Sequence, residues 1–334
     1  MTPTRFAILG FGHHATRRLV PAFEKSTTAT LTGLWRRKPE ASADDARKHN
    51  LKAFASAEEL CSSPDVDVVF ITSPDAMHLE DARLAFRHGK AVLCEKPLAM
   101  NAGQATEMLE ASQAAGVFFG VGQNFRFNHS VEFLQQQIAA GRIGTPQLAH
   151  AQYSYPGNLA PRKWITDPTL ACGGPIADVG VHCIDTLRFI LNTDVKSIAV
   201  LASKDSSSGE VEAISTMQLA LTSGAYANVT TSARAPYRTL IEILGSEGVL
   251  IAENALNVER PVDVTLRRAG ELVETNTFTN DDGYTRMIDS FTAALANPSA
   301  APTLFTPSGA DGVTNQKILD AAFRSWHSGL REIL

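Results

Sequence analysis

The sequence predicts a two-domain α/β protein: a doubly wound parallel sheet, then a second α/β domain built on an antiparallel sheet. Three observations predict it. The chain has 334 residues, more than one hydrophobic core usually organises. Its first 125 residues alternate short apolar runs with polar helical stretches, the pattern of parallel βα units. After about Phe125, extended runs follow one another through short turns, the pattern of antiparallel pairing. The division is accordingly expected at 1–125 and 126–334.

The elements follow in order. FAILG leads into a helix that runs to about Lys25, where Pro21 is expected to introduce a bend. TLTGLW precedes a helical stretch from Glu40 to Asn50. A short helix around Glu58 to Cys61 leads to VDVVFIT. A helix from His78 to His88, the strand AVLC, a helix from Ala102 to Ala115 and VFFGVG complete the first set. These strands are continuously apolar, which fits burial on both faces. The second part opens with a helix from Val131 to Ala140, closed by Gly141, and the strand LAHAQYSY. PIADVGVHCIDTLRFIL reads as a helix after a Gly-Gly break, with Pro175 suited to its first turn. VKSIAVLAS, AISTMQLALT, AYANVTTSA, TLIEILGS and GVLIAE read as strands that alternate only in part. Two helices, near Tyr284 to Ala296 and Thr314 to Leu330, close the chain.

Composition narrows the function classes. Hydrophobic residues make up 44% and charged residues 19%, and the net charge is −5. No basic block marks a nucleic-acid surface, and no apolar run reaches the length of a membrane span. The strand beginning just after MTPT leaves no room for a signal peptide. Cys61, Cys94, Cys172 and Cys183 show no CxxC spacing. They predict neither a disulfide framework nor a zinc site, and fit thiols in a reducing cytoplasm.

The first motif is Gly10-Phe11-Gly12-His13-His14-Ala15, between the first strand and the first helix. In that context GxGxxA is a dinucleotide-binding signature of the Rossmann type. Gly10 permits the tight turn, Gly12 lets the backbone approach a diphosphate, and Ala15 lets helix and strand pack closely. The diphosphate would sit on the helix N-terminus, where free N–H groups and the dipole favour anions. His13 and His14 read as residues of this loop, not as metal ligands, and no metal is expected. The second strand ends in Trp35-Arg36-Arg37-Lys38, with no acid before Glu40. An acid there would bind the 2′-hydroxyl of NAD, whereas arginine accommodates the 2′-phosphate of NADP. NADP is therefore expected in preference to NAD, with a solvated charge run as the alternative.

Ser73-Pro74-Asp75 and Glu95-Lys96-Pro97 each follow a strand, at the edge where the nicotinamide should lie. Together with ITSPDAMH, HGKAVLCEKPLA, NFRF, AAGRIG and GGPIADVGVHCID, in that order, they make the chain resemble the Gfo/Idh/MocA oxidoreductases. The resemblance covers roughly the first 190 residues. GSEGVL and the closing helices extend it more softly.

The resemblance implies an N-terminal Rossmann domain and a C-terminal α/β domain with a large, mostly antiparallel, open-faced sheet. It implies a homodimer or homotetramer formed through that face. It places Ser73, Pro74, His78, Glu95, Lys96, Asn124 and Trp164 beside Gly10, Phe11, Gly12, His13, His14, Ala15, Arg36 and Arg37 at the cofactor. Lys96 would also face the substrate, the peptide before Pro97 is often cis, and Asp178 and His182 of the D-x-x-x-H motif would supply the remaining catalytic groups.

Spacing supports this on its own. Asp178 and His182 are four apart and share a helix face, with Asp185 a further turn along. Val179, Cys183, Leu187 and Ile190 form an apolar side elsewhere on that helix. A histidine beside carboxylates is suited to acid–base work. The expected reaction is a reversible hydride transfer between the nicotinamide and a carbonyl or carbinol carbon of a sugar, sugar derivative or polyol. Three alternatives remain open at this point: cofactor-assisted glycoside hydrolysis, a cofactor-binding regulator without chemistry, and a structural scaffold. Where many such proteins carry an arginine after the tryptophan matched by Trp164, this chain has Ile165. Lys163 is the candidate substitute. Arg126, Tyr153, Tyr155, Asn158 and Tyr237 are candidates to line a sugar-sized pocket.

Overall fold

In the computed structural model, the described residues are 2–157, 162–205 and 208–334, with the backbone alone at 302 and 303. They form two compact units, Met1–Gln123 with Tyr284–Gln316, and Asn124–Gly283 with Lys317–Leu334.

The first unit is built on a six-stranded sheet. Its strands are β1 (Thr4–Leu9), β2 (Ala29–Trp35), β3 (Lys52–Ala53), β4 (Val68–Ile71), β5 (Ala91–Cys94) and β6 (Phe119–Val121), in spatial order β3-β2-β1-β4-β5-β6. Every pairing is parallel. The strand order reverses between β1 and β4, the switch point beside which α/β sheets bind ligands. All residues of β4, β5 and β6 are buried, as continuous apolar runs predict. The first helix is two pieces: a π-helical turn, Ala15–Leu19, then an α-helix, Val20–Lys25. The change falls next to Pro21, which has no N–H to close an α-type bond.

The linear division at residue 125 is not the one the packing makes. Tyr284–Gln316 belongs to the first unit, and the reason is aromatic. Phe291 lies 6.1 Å from Phe6 and 5.0 Å from Phe118, ring centre to ring centre, and Phe305 lies 5.2 Å from Phe291. Asp289 accepts hydrogen bonds from the Ser26 and Thr28 hydroxyls, both at 2.5 Å. Of the two predicted closing helices, Tyr284 to Ala296 thus joins the first unit, while Thr314 to Leu330 falls largely in the second.

The second unit carries a nine-stranded sheet. Its strands are β7 (Pro146–Ser154), β8 (Val195–Ser203), β9 (Ile214–Leu221), β10 (Tyr226–Ser232), β11 (Arg238–Gly245), β12 (Val249–Glu253), β13 (Val262–Arg268), β14 (Glu271–Phe278) and β15 (Glu332–Ile333). The order is β14-β13-β12-β11-β7-β10-β9-β8-β15, antiparallel throughout except for the parallel pair β7–β10. Ile198, Met217, Val229, Ile241, Leu250 and Val264 point inward. They share a core with Leu134 of the helix His129–Ala139, Ile184 and Leu187 of Val181–Leu191, and Leu319. On the other face Leu148, Leu201, Ile214 and Tyr226 are exposed. Strands β13 and β14 were not expected. VDVTLRR and ELVETNTF carry too many charges to stand out as apolar runs, and every residue of β14 is at least partly exposed.

Candidate active site

A candidate cofactor site is assembled from strand ends in the first unit. The N–H groups of Gly10 and Phe11 both donate to the Trp35 carbonyl, at 2.9 and 3.1 Å, closing the β1 turn against the end of β2. Gly10 has φ +91°, and a Cβ there would stand 2.4 Å from the Ser73 nitrogen. Only glycine fits. A Cβ on Gly12 would instead meet open space, with only the Gly10 carbonyl nearby at 3.8 Å. That cradle is of the kind a diphosphate needs. His13 and His14 are helical, not loop, residues, and His13 is exposed. They begin the helix because the turn is complete by Gly12: the Thr16 N–H already donates to the Gly12 carbonyl at 3.0 Å. Phe11 is buried, its ring 5.8 Å from His49.

Arg36 is not a bare cation. Its Nη1 donates to Asp45 at 2.5 Å, from the helix Pro39–His49, while Arg37 is exposed. This partner of the three-cation run stands nine residues along and on another element.

The turns after β4 and β5 are locked together by buried polar groups. The Ser73 hydroxyl donates to Asp81 at 2.6 Å. His78 is 1% exposed, with Nε2 2.9 Å from the Ser73 carbonyl and Nδ1 3.2 Å from those of Pro97 and Leu98. His78 is thus a brace between the two turns. Burial pushes the Asp81 carboxyl up to about 6, against the Ser73 hydrogen bond and the His78 charge. Glu95 is buried and accepts from His14 Nε2 at 3.1 Å. Burial acts to raise its carboxyl, but the His14 charge and hydrogen bond, with Lys96, outweigh it and hold it below the ordinary value. The Lys96–Pro97 peptide is cis, and Lys96 is half-buried.

A second cluster of candidate site residues lies in the second unit. Asp178 sits in a π-helical turn, Ile176–Gly180, that runs into the helix Val181–Leu191. It is 2% exposed. Its Oδ2 accepts from the Tyr155 hydroxyl at 2.8 Å and from Arg162 Nη2 at 2.9 Å. Burial first, and then the Asp178 charge, push the Tyr155 hydroxyl well above its ordinary value, so this tyrosine stays a donor. His182 is buried against Phe125, ring centres 4.6 Å apart and edge-on, with Tyr153 near-parallel at 6.5 Å. Tyr237 lies 6.0 Å from Tyr153. Tyr155 and Tyr153 therefore flank Asp178 and His182, with Tyr237 beyond Tyr153, amphipathic side chains suited to a polyhydroxylated ligand.

The helix differs from its prediction in one respect. It is buried nearly all round, with no solvated side. Asp185 makes a bidentate pair with Arg126, at 2.8 and 2.6 Å, and both side chains are buried. Arg126 also lies 5.3 Å from the Phe189 ring. Its predicted pocket role gives way to a structural one.

Glu212 was missed. It is buried, and its carboxylate accepts the N–H groups of Gly174 and Ile176, at 3.0 and 2.7 Å, capping the turn that carries Asp178. No local signal in GEVEA announces that contact. Asn124 is 2% exposed, and its Nδ2 has no acceptor among the described residues. Trp164 and Lys163 lie in a short 3₁₀ turn, half-buried and exposed respectively. Asn158 lies outside the described residues. Among the described residues, no group of three or more His, Cys, Asp or Glu is placed to hold a metal ion.

Comparison with known proteins gives the family. Residues 4–123 match the oxidoreductase family with an NAD-binding Rossmann fold, and residues 131–251 match the GFO/IDH/MocA C-terminal domain. The chain is 34% identical over 271 residues to 1,5-anhydro-D-fructose reductase from Ensifer adhaerens, covering 79% of this chain and 80% of that one. It is 27% identical to the NADP(+) D-xylose 1-dehydrogenase of Haloarcula marismortui, over 76% of this chain and 73% of that one. In fold it is similar to the aldose–aldose oxidoreductase of Caulobacter crescentus, with a TM-score of 0.90, 22% identity, and coverage of 99% and 100%. The Rossmann turn, the EKP turn and the Asp178–His182 helix thus occur in a chain that belongs to the Gfo/Idh/MocA family of NAD(P)-dependent oxidoreductases.

Proposed function

We propose that the protein is an NADP-preferring dehydrogenase or reductase that interconverts a carbinol and a carbonyl carbon on a sugar or polyol. The observation that carries this reading is the buried segment that presents Asp178 and His182, with Tyr155 bonded to the first and Tyr153 beside the second. The relatives named for anhydrofructose and xylose support the substrate class, and the NADP(+) in the second name supports the cofactor. Arg36 and Arg37 after β2 support it independently. Arg36 donates to Asp45 through one nitrogen and has further donors in its guanidinium fork.

When bound, the nicotinamide supplies the hydride transfer. The residues do the rest. Gly12 and the first helical turn hold the diphosphate. The Lys96 ammonium stabilises charge developing on the substrate oxygen. His182 delivers a proton to that oxygen in reduction and removes it in oxidation. Asp178, held by Tyr155 and Arg162, orients the substrate or His182. The outer sheet face with Leu148, Leu201, Ile214 and Tyr226 is an apolar surface for a homodimer or homotetramer. The buried free thiols Cys61, Cys94 and Cys183 support a reducing cytoplasm as the compartment.

Titration calorimetry with NADPH and NADH, followed by a panel of sugars and polyols monitored by nicotinamide absorbance, tests the reading. NADPH is expected to bind more tightly, and at least one sugar or polyol to turn over. Failure to bind either dinucleotide removes the oxidoreductase assignment, and equal affinities remove the NADP preference alone.

A further inference from the structure

His14 is unexplained by the dinucleotide motif, which asks only for small residues at Gly10, Gly12 and Ala15. Its side chain has definite work. Three segments far apart in sequence meet at it, all within the first unit. Its Nε2 lies 3.1 Å from Glu95 Oε1. The carboxylate can only accept, so Nε2 carries the proton and donates. The Tyr284 ring stands edge-on to the imidazole, centres 5.6 Å apart.

Glu95 in turn shapes the next residue. Its second oxygen, Oε2, accepts the backbone N–H of Lys96 at 3.3 Å. Its own N–H is tied to the Ile71 carbonyl of β4 at 3.0 Å. Room for the carboxylate comes from Gly122, where a Cβ would stand 3.0 Å from Oε1. The carboxylate side chain is 11% exposed. A charge so enclosed needs a partner, and removal of one member of such a pair leaves the other uncompensated.

We propose that His14 is a positioning residue which, through Glu95, ties the diphosphate-binding turn to the turn that carries Lys96. A dinucleotide then meets two turns already set relative to each other, rather than two that must be ordered on binding. The inference rests on the oxidoreductase reading above, since it concerns how that cofactor is held.

A double-mutant cycle on the full chain tests it, with the Kd for NADPH measured by calorimetry and melting curves for every variant. His14→Ala and Glu95→Ala are each expected to weaken NADPH about tenfold, and the double variant little more than either alone. His14→Gln, which keeps a donor, is expected to recover most of the loss. That rescue separates positioning from bulk stability if His14→Ala melts early. Strictly additive losses, or a His14→Ala protein that binds NADPH within about twofold of wild type, overturn the proposal. A wild-type protein that binds neither NADPH nor NADH overturns the cofactor reading and this proposal with it. Binding by the wild type with an additive cycle overturns only the coupling.

Discussion

The two sheets solve different problems. In the six-stranded sheet the inner strands are buried on both faces, so no face remains to hold a ligand. Polar chemistry moves to the strand ends: Gly10 after β1, Ser73 after β4, Glu95 and Lys96 after β5. In the nine-stranded sheet one face is core and the other is open, and β9 and β10 alternate buried and exposed positions. Its candidate chemistry sits on a buried helix and on tyrosines of β7 and its flanks. A sheet covered twice offers edges, and a sheet covered once offers a face.

This contrast assigns cofactor binding to the first unit and, Lys96 apart, chemistry to the second, and mutation can break it. The largest effect is expected at His182. His182→Ala should lower turnover by about 10²–10⁴-fold while NADPH affinity and the melting temperature stay near wild type. Lys96→Ala should also lower turnover strongly. A His182→Ala enzyme whose NADPH Kd rises as much as its kcat falls would merge the two roles.

Next is Gly10→Ala, which puts a Cβ against Ser73 at a positive φ. A loss of roughly 2–4 kcal/mol in denaturant unfolding is expected, and a loss below the error of the measurement would show that the turn yields. Replacing both Arg36 and Arg37 by serine should weaken NADPH by about tenfold or more per lost contact and leave NADH nearly unchanged. Equal weakening of both cofactors would mean that the pair acts as a general charge and not as a phosphate clamp.

Asp81 gives a pH test confined to the first sheet. Its carboxyl is raised from 3.8 to about 6, so the native chain holds the proton more tightly than the unfolded chain. The group therefore costs stability progressively as pH rises from about 4 to about 6, and fully above that. Asp81→Asn should gain on the order of 1–2 kcal/mol over wild type at neutral pH, with the gain vanishing below about pH 4. A gain that grows toward acid would reverse the sign. Smallest in folding energy is a pair of lysines at Leu201 and Tyr226 on the open face, expected to change stability by about 0.5 kcal/mol or less. Light scattering should nonetheless show a shift toward monomer, and an unchanged mass would remove that face from assembly.

Legibility tracked the range of the interaction. Parallel strands such as AVLC read correctly because burial on two faces writes itself as an unbroken apolar run. Gly10 and Gly12 were readable because their constraint is local. The Asp178–His182 spacing was readable because one helix carries both. What escaped depended on partners distant in sequence. Arg126 looked available until Asp185, 59 residues on, was seen to hold it. Glu212 reaches back 38 residues to cap Gly174. β14 hid because an exposed strand needs no apolar signature.

The return of Tyr284–Gln316 to the first unit has a consequence for biosynthesis. A ribosome completes β6 well before it makes Phe291 and Phe305, because the 160 residues from Asn124 to Gly283 come between. At about 5–20 residues per second this is a delay of roughly ten to thirty seconds. Throughout that interval Phe6 and Phe118 lack the rings that cover them in the finished protein. The unit that begins the chain is thus among the last to be sealed, and a nascent chain stalled before Tyr284 would present an uncovered aromatic surface to the cell's chaperones.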